Sequence, residues 1–262
     1  MEQKNKVAFT PEQDKSEKMG SKQCVHNLII LDESGSMETL AKQAVSGLNE
    51  TFQTIRNAQK EHQEQQHFIS FVTFNSARIR NLMNHQKVES EKELKWNDYN
   101  PDNATPLFDA MGRSLNDLKN YVADEDVVLV TIITDGYENA SREYSGLDIK
   151  ELVAELKGKG WVFAYIGTNQ DVDAVADSMG IRSRMCYDYS PSGAECMFEI
   201  ERSSKRDFFA RLHREGRKFM TEPNYDYFGS NEEDDTGPDE EPEKEPENNE
   251  GFWGRMKRRM KG

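Results

Sequence analysis

Unbroken apolar runs alternate with apolar residues spaced three and four apart along most of this chain. Leu28-Ile29-Ile30-Leu31 closes the first run, and Val127-Val128-Leu129-Val130-Thr131-Ile132-Ile133 forms another. Runs without a polar alternate read as strands buried on both faces, as in parallel sheets. Residues 161–166 and 185–189 read as two shorter strands. Residues 67–74 and 77–83, joined by Asn75-Ser76, read as a hairpin that puts one antiparallel strand at the sheet edge. Leu40, Ala44, Val45, Leu48, Phe52 and Ile55 make a helical stripe over 38–63. Leu107, Ala110, Met111, Leu115 and Leu118 make another over 106–122. Ser145 caps a helix that runs to 156, with Gly158 and Gly160 as its stop. A short helix over 171–179 and a closing helix over 194–219 complete the pattern. The alternation predicts a doubly wound α/β fold: a mostly parallel six-stranded sheet, one antiparallel edge strand, helices on both faces.

The ends of the two longest runs carry the candidate chemistry. The first continues into Asp32-Glu33-Ser34-Gly35-Ser36, which puts a carboxylate and two hydroxyls at alternate positions with a glycine to turn the chain. The second continues into Thr134-Asp135-Gly136. Between them, Thr105-Pro106-Leu107 places a threonine at an expected helix N-cap with proline at the first helical position. Ligands of open parallel sheets gather at the carboxyl ends of the strands, where all three segments can end. An all-oxygen set suits a hard cation such as Mg2+, with Mn2+ or Ca2+ as alternatives. Read alone, Asp32, Ser34 and Ser36 also fit a turn that opens the next helix.

In this order and context, Asp32-x-Ser34-x-Ser36, Thr105-Pro106-Leu107 and Thr134-Asp135-Gly136 resemble the metal-ion-dependent adhesion site of von Willebrand factor A domains. The resemblance covers roughly residues 24–220. Tyr165-Ile166-Gly167-Thr168-Asn169 and Gly136-Tyr137-Glu138-Asn139 look most like the small cytoplasmic bacterial and phage-type members, including those associated with tellurite resistance. The resemblance implies that Ser34, Ser36 and Thr105 touch the metal directly, while Asp32 and Asp135 act directly or through water. It also implies an open coordination position for an Asp or Glu of a protein partner. Glu33 and Glu138 flank the site, either as solvated loop acids or as partner contacts. Asp98, Tyr99 and Asn103 precede the threonine and are candidates for the same surface. Asp109 reads as support for its own helix amino terminus. His26, His62, His67, His85 and His213 show no spacing that suggests a zinc site or a nucleophile–base pair, so no catalytic residue is assigned.

Charge divides the chain. Of the formal −14, eleven acids and one lysine place −10 on residues 231–250, and the last twelve residues carry +5, which leaves −9 on the remainder. Residues 1–22 read as a loose arm, 23–222 as the domain, 223–250 as an acidic disordered linker and 251–262 as a basic aromatic tail. In that tail Trp253, Arg255 and Arg258 are candidates for a second protein contact, ahead of an anionic membrane. The acidic balance argues against nonspecific nucleic-acid binding by the whole chain, and no specific nucleic acid is expected. The amino terminus lacks a signal-peptide core, and three cysteines without metal spacing suit a reducing cytoplasm. The reading is a non-enzymatic, Mg2+-dependent adaptor. The alternatives are a metal-dependent phosphohydrolase, against which Ser34 stands where the aspartate-nucleophile phosphatases carry a second Asp, and a scaffold that acts through its tail.

Overall fold

In a computed structural model, which describes residues 22–89, 93–168 and 172–229, the six expected strands form a single sheet. They are β1 (Gln23–Asp32), β2 (Gln65–Asn75), β3 (Arg78–Lys87), β4 (Val127–Ile133), β5 (Val162–Thr168) and β6 (Ser183–Tyr187). Their order is β3-β2-β1-β4-β5-β6, with β2–β3 antiparallel and the other pairs parallel. The helices are α1 (Ala41–Glu61), α2 (Leu107–Lys119), α3 (Gly146–Gly158), α4 (Val172–Ser178) and α5 (Pro191–Glu215).

Alternate side chains of the central strands serve two cores. Val25, Ile29 and Leu31 of β1 with Val127, Leu129 and Ile133 of β4 pack against α1 and α5. Leu28 and Ile30 with Val128, Val130 and Ile132 pack against α2, α3 and α4. Both faces of β1 and β4 are thus covered, which is why residues 28–31 and, apart from Thr131, 127–133 are apolar.

The packed chain runs past the expected boundary at 222, because Tyr227 and Phe228 are buried against the α5 core. The amino-terminal arm before Lys22, the acidic segment from 230 and the tail with Trp253, Arg255 and Arg258 lie outside the described residues. No helix among the described residues is long and apolar enough to cross a membrane.

The two helices on the first face meet closely at a glycine. A Cβ built on Gly47 of α1 would lie 2.2 Å from the Phe198 ring of α5. Neither helix can retreat without opening the core, so Gly47→Ala should cost about 1–3 kcal/mol by overpacking. Chemical denaturation of the full chain checks this, and an unchanged midpoint would mean that Phe198 has room to turn away.

Candidate metal centre

Register brings the two strand-end acids together. Leu31 of β1 pairs with Ile133 of β4, so Asp32 and Thr134 leave the sheet side by side, with Asp135 one residue further. Asp32 is fully buried. Its Oδ1 accepts from the Ser34 N–H at 2.7 Å and its Oδ2 from the Thr134 hydroxyl at 2.6 Å. Its carbonyl accepts from the Tyr99 hydroxyl at 2.5 Å. The backbone therefore turns sharply under its own carboxylate, and Ser34 and Ser36 swing towards Asp135. The two serine hydroxyls lie 3.1 Å apart, and Ser36 donates to Asp135 Oδ1 at 2.7 Å.

Thr105 completes the ring of oxygens, although not by the expected route. Pro106, not Thr105, occupies the N-cap of α2, and no side chain caps it there. The α2 amino terminus is instead served from the loop after β4, whose Glu138 carboxylate accepts from the Phe108 N–H at 3.0 Å. Thr105 is thereby released to face the serines. A Cβ on Gly136 would lie 3.3 Å from Thr105 Oγ1 and 3.9 Å from Ser36 Oγ, so a side chain at residue 136 would crowd both hydroxyls.

The electrostatics of this ring are uncompensated. Burial pushes the Asp32 carboxyl up to about 7, against the pull of its bonds from Thr134 and Ser34, and the charge of Asp135 adds to the rise. Burial also raises Asp135, whose Oδ2 is buried without a hydrogen-bond partner. Tyr99 is raised well above its ordinary value by burial and then by the charge of Asp32. Two buried acids and an orphaned carboxylate oxygen are costly unless a cation joins them. Five oxygen-bearing side chains, two of them carboxylates, are the donor chemistry of a hard divalent ion. The residues present fit such a group.

The flanking candidates have other work. Glu33 is neither a solvated acid nor a reachable partner contact: it is fully buried, bonded to Arg78 at 3.1 Å and Arg80 at 2.6 Å, and accepts from the Asn100 N–H. The hairpin supplies both arginines, a long-range pairing that a local reading of residues 32–36 misses. Tyr99 is also buried, so its hydroxyl serves Asp32 and not the surface. Asp98 is half-buried and accepts from the Lys95 N–H. Asn103 is exposed, with φ +67, and its carbonyl accepts from Gly35, so it ties the threonine loop to the serine loop. Glu138 accepts from Ala140 and Ser141 as well as Phe108, which makes it the organiser of its own loop. Asp109 supports that loop too, by accepting from the N–H groups of Arg142, Glu143 and Tyr144, and not its own helix end.

Thr134 is the functional residue that the sequence reading left unassigned. Its place directly before Asp135, at the end of a strand that is apolar apart from Thr131, is the signal that marks it. Beside the ring, a groove passes Ala104, Pro106 and Asn139 and carries Arg78, Arg113 and Arg142. Arg142 is exposed, whereas Arg113 pairs with Glu143.

A sequence model described as von Willebrand factor type A domain matches residues 28–201. Among solved structures, the von Willebrand factor type A protein from Catenulispora acidiphila is similar with a TM-score of 0.50 at 14% identity, covering 71% of this chain and 43% of that one. The vWF domain of a type V pili tip protein from Porphyromonas gingivalis gives 0.51 at 9% identity, over 72% of this chain and 97% of that one. A pilus adhesin from Lactobacillus rhamnosus GG gives 0.50 at 11%, over 72% and 31%. At these identities the likeness is one of fold alone, and the chain spans less than half the length of the Catenulispora protein. No curated protein matches it.

Proposed function

Since this chain belongs to the von Willebrand factor type A domain family, we propose that its strand-end oxygens hold a divalent ion and bind a carboxylate of a protein partner. Asp32, Ser34, Ser36, Thr105 and Asp135 are the residues that would hold it, with Mg2+ as the assigned ion. The observation that carries the reading is Asp135 Oδ2, a buried carboxylate oxygen without a partner, in a ring whose space a single Cβ would invade. When bound, the ion supplies a positive centre that a visiting carboxylate can complete.

The chain's own residues prepare that centre. Ser34 N–H and Thr134 Oγ1 fix the Asp32 carboxylate, and Tyr99 fixes its backbone, so the acid does not have to reorganise on binding. Two carboxylates match the charge of a divalent ion and three neutral hydroxyls add none, so a visiting carboxylate meets no surplus of negative ligands. Arg142 in the adjoining groove favours a partner segment with acidic residues beyond the one at the metal.

Isothermal titration of Mg2+ into the full chain tests this. Wild type should show one metal-dependent event, and Asp32→Ala should weaken it about tenfold or more. An acidic peptide should bind only when the ion is present. Absence of metal-dependent heat, or heat unchanged in Asp32→Ala, refutes the reading. Peptide binding that persists in excess chelator would leave the ion but remove its role in recognition.

A further inference from the structure

We propose that His62, Glu64 and His213 form a second metal site, selective for Zn2+ or a similar borderline ion, at the opposite end of the sheet. The fold joins what the sequence separates. His62 is the C-cap residue of α1, Glu64 lies in the connection to β2, and His213 is in the last turn of α5. One ligand atom from each residue falls within 4.8 Å of the others. His213 Nδ1 and Glu64 Oε1 are 2.7 Å apart, and the two imidazole rings stack with centroids 4.8 Å apart at 23°.

Donor type separates this site from the first. Two imidazoles and one carboxylate suit Zn2+, while Mg2+ prefers oxygen alone. Zn–N and Zn–O bonds of about 2.0–2.1 Å put tetrahedral ligand atoms roughly 3.3–3.5 Å apart. To reach it the 2.7 Å His213–Glu64 pair must open and the wider separations, up to 4.8 Å, must close, a rotation open to Glu64 and His213 because their side chains are each 52% exposed. Their backbones are already held. His62 N–H donates to Ala58, Gln65 N–H to the His62 carbonyl, and Gln23 N–H of β1 to the Glu64 carbonyl.

A second, independent feature points to a cation. α1 and α5 both end here, so the negative ends of two helix dipoles meet at the cluster. Three protein ligands leave the fourth position to water. With an ion bound, the end of α5 is tied to the α1–β2 connection.

The test is a Zn2+ titration of the full chain in excess Mg2+, followed by calorimetry, thermal melting and, with Co2+ as a stand-in, visible absorption. The expected result is one equivalent bound, a higher melting temperature and a tetrahedral Co2+ band. His213→Gln and Glu64→Gln should each weaken binding about tenfold or more, whereas Asp32→Ala should leave it intact. Because Asp32 belongs to the other centre, failure of either site is read separately. Absence of Zn2+ binding in wild type, or binding that survives unchanged in a His62→Gln/His213→Gln double variant, overturns the proposal.

Discussion

A chain that carries Gly136→Val is expected to fold as wild type does and to lose its response to Mg2+. Gly136 has no left-handed φ, so a side chain there adds no backbone strain. The added Cβ would come within 3.3 Å of Thr105 Oγ1 and 3.9 Å of Ser36 Oγ, and the valine methyl groups extend further into the same space. Ligand binding stabilises a fold by RT ln(1 + [L]/Kd), about 2.7 kcal/mol at a hundredfold excess over Kd. For a domain of this size that gain is a melting shift of about 5–10 °C. Wild type should show the shift on addition of Mg2+ and the valine variant should show none, with its melting temperature in chelator close to wild type. If the variant keeps the full shift, the ion lies elsewhere and the assignment of Thr105 and Ser36 fails with it.

What the sequence disclosed here was whatever local chemistry dictates. The strands beneath Asp32 and Asp135 were legible because a strand covered on both faces can carry few polar side chains. That the segments of Asp32 and Asp135 meet followed from where parallel strands end. Direction and burial of the loop acids were not legible. Glu33 sits between two acceptor-rich positions and looks solvated until the hairpin delivers Arg78 and Arg80 from more than forty residues away. Thr105 before a proline matches a helix cap in any local window, and only Glu138, from the far side of β4, relieves it of that duty. His62 and His213 illustrate the same limit. Their spacing carries no metal signature because the fold, and not the chain, sets their distance.

The deepest feature that no periodicity reveals is a buried ion pair under α5, and breaking it should have the largest effect on stability. Glu201 and Lys205 are four residues apart, a spacing that on sequence alone reads as a solvent-exposed helical pair. They are 1% and 0% exposed. Lys205 Nζ is 3.0 Å from Glu201 Oε1 and donates to Thr131 Oγ1 at 3.4 Å, so the polar interruption of β4 marks the place beneath which the pair lies. Thr51 of α1 and the Tyr227 hydroxyl also donate to Glu201, at 3.4 and 3.5 Å. The network thus ties α5 to α1, β4 and the segment that follows α5. Glu201→Leu leaves the Lys205 ammonium buried without its counter-charge, which should cost about 3–5 kcal/mol. The double variant Glu201→Leu/Lys205→Met removes both charges and should recover most of that loss, because desolvation offsets much of what the pair contributes. Urea unfolding of wild type, both singles and the double gives the coupling directly. If Glu201→Leu alone is as stable as wild type, water reaches Lys205 and the burial described here does not persist in solution.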